Sequence, residues 1–252
     1  MIKSSLLGAT TALALTSVSY AGGVTIPQVE PAPVVTTAAT IPAYDWSGGY
    51  TGLIFATNTA DTTTGDITTT EDPLAVIPGI SYSSSGVSAG LEAGYNFQSN
   101  ALVYGVEIDA STAAVDGSLS NFLDTGPGTN FSVSTNAEWI ASARGRLGFA
   151  SGRALFYVTG GVAAASLQTQ LTDTYNGGAI VFTPSVSETR SGWVAGAGAE
   201  FALEQNWSLK VEYLHYDFGS KTASFVEGTD RTISTDATYT DNQARIGFNY
   251  HF

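Results

Sequence analysis

GWVAGAGAEFALEQNWSLKVEYLHYDF, residues 192–218, carries two strands and the turn between them. In the first strand Trp193, Ala195, Ala197, Ala199, Phe201 and Leu203 fall on one face. Val194, Gly196, Gly198, Glu200 and Ala202 fall on the other, which is the period-two alternation of a β-strand. After a turn at Glu204–Asn206, Trp207, Leu209, Val211 and Tyr213 alternate with Ser208, Lys210 and Glu212. Trp193 and Phe201 bound the first apolar face. At about 3.4 Å per residue and roughly 40° of tilt, that face is about 20 Å tall. An outer-membrane barrel strand presents an apolar band of about 25 Å edged with aromatic rings. The hairpin therefore reads as part of a transmembrane β-barrel.

Working outward, six more segments alternate, making eight strands: Gly48–Thr57, Gly86–Phe97, Leu102–Ala110, Asn136–Phe149, Ala154–Ser166 and Tyr239–Phe252 join the two of the hairpin. Their connections alternate in length. Gln98–Asn100, Ala150–Arg153 and Glu204–Asn206 are short, whereas Asn58–Ser85, Ser111–Thr135, Leu167–Ser191 and Gly219–Thr238 are long and polar. Short turns at one end and long loops at the other predict an all-β, eight-stranded, antiparallel up-and-down barrel with periplasmic turns and extracellular loops. Pro73, Pro78, Pro127 and Pro184 all fall in the long segments. No proline interrupts a predicted strand, as a lipid-facing ladder requires.

Met1–Ala21 has the form of a secretory signal peptide: Lys3, an apolar run over Leu6–Val18, and Ser19-Tyr20-Ala21 at the cleavage site. Gly22–Ala43, with Pro27, Pro31, Pro33 and Pro42, reads as an extended periplasmic linker, and residues 44–252 as the barrel. After the signal no apolar run is long enough for a transmembrane helix. Cysteine is absent, which excludes disulfides and thiolate metal sites. Nine Lys+Arg against 22 Asp+Glu give a net charge of −13, which argues against nucleic acid as a partner.

A soluble barrel or sandwich would turn the apolar face inward. The glycines decide against it. Gly86, Gly90, Gly94, Gly105, Gly196, Gly198 and Gly247 share the polar face with the charged residues. Glycine weakens a water-exposed strand, but in a narrow lumen it makes room for long side chains. This places Glu92, Glu107, Asp109, Glu200 and Glu212 inside with Arg144, Arg146, Lys210 and Arg245. Buried charges must be paired, so a lumen-filling salt-bridge network is expected. Tyr104, Trp139, Trp193, Phe201, Trp207, Tyr213 and Phe252 are expected at the membrane interfaces. Most remaining acids fall in the long segments, among them Asp61, Asp66, Asp116, Asp173 and Asp236. They favour loop solubility beside anionic lipopolysaccharide over cation bridging, for which no ligand-spaced motif exists.

Gly86-Val87-Ser88-Ala89-Gly90 matches the G-x-S-x-G nucleophile elbow, but that motif needs a strand-to-helix turn and here lies inside an alternating strand. His215 and His251 are the only histidines, and neither shows a sequence-visible acid and nucleophile. Gly196-Ala197-Gly198 lacks the remainder of a dinucleotide fingerprint. The reading is a protein without enzymatic activity, cofactor or metal.

Several stretches resemble the small outer-membrane β-barrel family of Alphaproteobacteria, an eight-stranded, OmpA-type, porin-like group that includes Brucella major surface proteins and rhizobial RopB-type proteins. They are Pro42-Ala43-Tyr44-Asp45-Trp46-Ser47-Gly48 before the first strand, Tyr104-Gly105-Val106-Glu107, Arg144-Gly145-Arg146-Leu147-Gly148, Leu155–Gly161, Gly196–Glu200 with Trp207–Tyr213, and Arg245–Phe252 at the end. The resemblance thins out in the long segments. It implies an outer-membrane location, assembly by the barrel-assembly machinery through the strand ending at Phe252, and roles in envelope integrity and surface interaction. The expected partners are outer-membrane lipid, lipopolysaccharide and an extracellular ligand held by the acidic loops. The alternative is a narrow porin for ions or small solutes, which would need a water path through the Arg144/Arg146 and Glu92/Glu107 network.

Overall fold

The computed structural model describes residues 44–70, 78–120, 130–175, 180–183, 185–227 and 231–252. The expected signal peptide and linker lie outside these residues. Among the described residues ten strands follow one another: β1 Gly48–Thr64, β2 Thr68–Thr69, β3 Ser81–Ser99, β4 Leu102–Ser120, β5 Asn130–Ser151, β6 Ala154–Tyr175, β7 Ile180–Phe182, β8 Ser185–Ala202, β9 Trp207–Glu227 and β10 Arg231–His251. The eight long ones pair antiparallel in the order β1-β3-β4-β5-β6-β8-β9-β10, and β10 returns to β1 from Tyr50↔His251 to Thr64↔Ala237. The sheet is thus a closed eight-stranded barrel, and no helix occurs among the described residues. Closure gives every strand of the membrane zone two hydrogen-bonded neighbours, which lipid demands.

The alternating faces point as the lipid solution requires. Leu53, Phe55, Leu91, Val106, Ile108, Leu147, Val158, Val162, Val211, Ile246 and Phe248 are exposed on the outside. Glycine inside admits bulk from the paired residue of the neighbouring strand. A Cβ on Gly94 would run into the Tyr50 ring, and one on Gly198 into the Tyr157 ring.

The strands run well beyond the apolar band, through most of the segments whose composition suggested long loops. On β3, Ser81, Ser83 and Ser85 face out while Tyr82 and Ser84 face in. The outer face there meets water, so no apolar stripe marks it, and Ser/Thr-rich sequence looks like loop. Beyond the membrane the barrel also changes form. β8 and β9 pair only from Trp193↔Asp217 down to Ala202↔Ser208, although both strands continue upward. β3 and β4 last pair at Ser85↔Asp116. The extension is therefore two sheets, β9-β10-β1-β3 and β4-β5-β6-β8, with β2 added to β10 and β7 to β6. Tyr82 and Ala223 from one sheet and Val133 from the other form a small apolar core with Ile67, and Leu119 and Val186 pack against it. Tyr82 Oη and Thr135 Oγ1, 2.6 Å apart, tie the two sheets together. We call this extension the tower.

Candidate functional site: the barrel interior

At the short-turn end Trp46 enters the lumen and is fully buried against Val103, Leu155, Tyr157 and Ala202. The chain before β1 is fastened there. The Tyr44 amide donates to the Gly152 carbonyl at 3.0 Å, the Tyr44 hydroxyl to the Gln205 carbonyl at 2.9 Å, and the Trp46 amide to Gln98 Oε1 at 2.7 Å. His251 closes the same end, with its ring 5.7 Å from that of Trp46.

Above Trp46 lies the charge network. All nine residues expected inside from the alternation line the lumen, and all are buried. Glu107 is the hub. It pairs with Arg144, accepts from Lys210 Nζ at 3.1 Å and from the Tyr50 hydroxyl at 2.6 Å, and lies 3.5 Å from Arg146 Nη1. Arg144 also meets Asp109 at 3.2 Å and Glu212 at 3.0 Å. Arg146 donates to Glu200 at 2.9 Å and stacks over the Tyr157 ring at 4.1 Å. Lys210 pairs with Glu92, and Arg245 Nη1 donates to Asp109 at 3.1 Å. Glu200 also accepts from Ser208 at 2.6 Å and Asn249 at 3.0 Å. Glu107, Asp109, Glu200 and Glu212 are each shared by more than one donor, the condition under which buried charge is tolerable, whereas among the described residues Glu92 meets Lys210 alone and its Oε1 has no hydrogen-bond partner.

Above the network the interior turns apolar. Val115, Ile140, Leu167, Val194, Leu214, Tyr216, Phe218 and Tyr239 form one buried cluster with five alanines. Every long strand except β3 contributes to it. On the β10–β1–β3 side polar groups border it. Asp241 Oδ2 accepts from Asn58 at 3.0 Å and Gln243 at 2.7 Å, and Ser88 donates to Asn58 Oδ1 at 2.9 Å. Ser88 is thus a lumen hydroxyl within β3, not a nucleophile on an elbow. The alternation that finds Arg245 also reaches Gln243 and Asp241. The inward tyrosines Tyr50, Tyr157 and Tyr216 were hidden because tyrosine suits either face.

Outside, Tyr104, Phe201, Trp207 and Phe252 are exposed near the short turns, and Trp139, Trp193 and Tyr213 stand higher on the wall. His215 belongs to the upper group. It faces outward beside Trp193, with Nδ1 2.8 Å from Asn242 Oδ1.

One ion cluster lies in the tower. Glu188 accepts from Arg190 Nε at 2.5 Å and lies 3.0 Å from Lys221 Nζ, while Arg190 Nη1 donates to the Ala237 carbonyl at 2.6 Å. Partial burial alone would raise the Glu188 carboxyl, but the hydrogen bonds from Lys221 and Arg190 outweigh it and hold the group below its ordinary value. A depressed folded value means the stabilisation is present above the ordinary carboxylate range and is lost as pH falls through the folded value. Amide exchange in residues 185–192 should therefore rise, relative to the membrane strands, as the medium is acidified through that range. Glu188→Gln should flatten the response; an unchanged profile in that variant would remove Glu188 as its cause.

The outer membrane protein beta-barrel domain, as a family model, matches residues 32–252. The chain belongs to this family. The 31 kDa outer-membrane immunogenic protein of Brucella melitensis biotype 1 is 31% identical to this barrel over 228 residues, covering 87% of this chain and 89% of the relative. The 25 kDa outer-membrane immunogenic protein of Brucella abortus biovar 1 is 29% identical over 226 residues, covering 88% and 87%. Among solved structures, the outer membrane protein OprG of Pseudomonas aeruginosa superposes with a TM-score of 0.52 at 14% identity, covering 83% of this chain and 98% of OprG, a likeness of fold. This family member is accordingly a bacterial outer-membrane protein whose barrel crosses the membrane.

Proposed function

We propose that this outer-membrane barrel is a closed anchor, serving envelope integrity and carrying its tower as a surface for interaction. The observation that carries the reading is the filling of the lumen in three successive layers: Trp46, the charge network and the apolar cluster. An eight-stranded barrel is only wide enough for side chains to fill. Charged side chains held in fixed pairs, followed by an apolar layer, favour exclusion of ions over their passage. Lipopolysaccharide would surround the lower tower, the strand ending at Phe252 would engage the barrel-assembly machinery, and the outward acids Asp61, Asp116 and Asp236 would meet an extracellular ligand.

Planar-bilayer recording on the refolded mature chain tests this reading. Discrete conductance steps are not expected, either from the wild type or from Arg144→Glu once its folding has been verified by gel mobility. Reproducible steps that change with Arg144→Glu would establish a narrow pore instead.

A further inference from the structure

At the β8–β9 seam two strand edges of the tower lack a neighbour, as do the tops of β3 and β4 above Ser85↔Asp116. Below Trp193↔Asp217 β8 and β9 are paired; above it, residues 185–192 of β8 pair with β6 alone and residues 218–227 of β9 with β10 alone. Among the described residues nothing else pairs with these edges. Neither stretch contains proline, and the charges at the seam are spent on each other in the Glu188–Arg190 and Glu188–Lys221 pairs. Strand edges are usually protected by proline, bulges, unpaired charge or a covering segment, and of these only a bulge at the foot of the β9 edge occurs among the described residues.

The two edges complement each other in register. Phe218 and Gly219 both lie against Tyr239, since Thr238 pairs with Ser220 and Thr240 with Asp217. β9 therefore carries one extra residue at this point, and Gly219 takes φ +65° there, the left-handed conformation that suits glycine at a bulge. Carried upward with that one-residue correction, the β8–β9 register sets Arg190 against Lys221, Thr189 against Thr222, and Ser187 against Ser224. The faces agree at Ser187, Thr189, Thr222 and Ser224, which are all exposed, whereas Arg190 is buried and Lys221 exposed, with Glu188 bridging these two cations.

We infer that a second copy of this chain occupies the seam, with β8 of each copy pairing to β9 of the other above the membrane. Copies in one outer membrane stand the same way up, so a two-fold axis along the membrane normal relates them. About that axis the descending β8 of one copy meets the ascending β9 of the other. The pair is antiparallel, and the second pair follows by symmetry. Each edge receives the strand its own register encodes, and the Glu188–Lys221 contacts pass from within a copy to between copies. The membrane barrels remain closed side by side. This assembly does not depend on whether the lumen conducts.

The chain has no cysteine, so introduced ones report without interference. Ser187→Cys and Ser224→Cys are to be made as separate full-length variants, expressed together in outer membranes and oxidised mildly. Opposed antiparallel residues stand within disulfide reach. The expected result is a shift to twice the monomer mass in the mixture and little of it when either variant is expressed alone. Equal dimer from the single variants would mean random collision and would overturn the proposal. Monomer throughout would overturn it as well. An internal disulfide in the Ser187→Cys/Ser224→Cys double variant, without dimer in the mixture, would show that the seam closes on itself.

Discussion

Replacing Glu107 by alanine is expected to cost the folded barrel about 3–5 kcal/mol, the loss typical when one partner of a buried charge cluster is removed. Tyr50, Arg144 and Lys210 all reach this carboxylate, and Arg146 stands close to it. Without it the three cations keep Asp109, Glu212, Glu92 and Glu200, but the centre of the network becomes a cluster of like charges in a medium that screens them poorly. Glu107→Gln keeps the shape and one acceptor oxygen and should lose less. Urea unfolding in lipid vesicles, followed by the mobility difference between folded and unfolded barrel, gives the measurement. A loss under about 1 kcal/mol for Glu107→Ala would mean that water enters freely and that the network is not a packed interior.

Trp46→Ala is expected to cost about as much, roughly 3–5 kcal/mol, for a different reason. The indole is fully buried, and no strand neighbour can move in to replace it because the wall around it is a hydrogen-bonded ladder. The loss should also open the short-turn end. Ser208, buried and within hydrogen-bond distance of Glu200 and of His251, whose ring stands beside that of Trp46, reports on that. A Ser208→Cys thiol should resist a water-soluble maleimide in the otherwise native chain and react in the Trp46→Ala background. Slow labelling in both backgrounds would show that Trp46 does not seal this end.

The membrane part of the barrel was legible from the sequence because lipid outside and a charged lumen inside impose opposite chemistry on alternate residues. Glu92, Glu107, Arg144, Arg146, Glu200, Lys210 and Arg245 stand out on one face of their strands for that reason. The tower was not legible. Its outer face meets water and its inner face is packed with mixed small and apolar groups such as Ser84, Val133 and Ala223, so neither side has a uniform chemistry. Bulges add to this: the register shifts between Ala137 and Trp139 and between Thr238 and Thr240, which breaks the count from one strand half to the next. The apolar layer above the network spans the upper ends of the predicted strands and the foot of the tower. Leu214, Tyr216 and Phe218 lie within the stretch read as a strand but beyond the Trp207–Tyr213 alternation quoted for it, Val194 stands among the small residues of its inward face, and Arg190 falls in a segment whose composition suggests a loop.

The pairing of β1 with β10 bears on how the molecule comes into being. Gly49 and Phe252, joined by a hydrogen bond from the Phe252 amide to the Gly49 carbonyl at 2.9 Å, are nearly the whole barrel sequence apart. Until they meet, the growing sheet has two ladders of unsatisfied amides that hydrocarbon will not accept, so insertion and completion cannot be separate events. The contact that ends the process is also the one of longest sequence separation, the kind that chain entropy makes slowest to find. A chain of this design is committed to its membrane only by its last strand. Anything that holds β10 back holds back every strand before it.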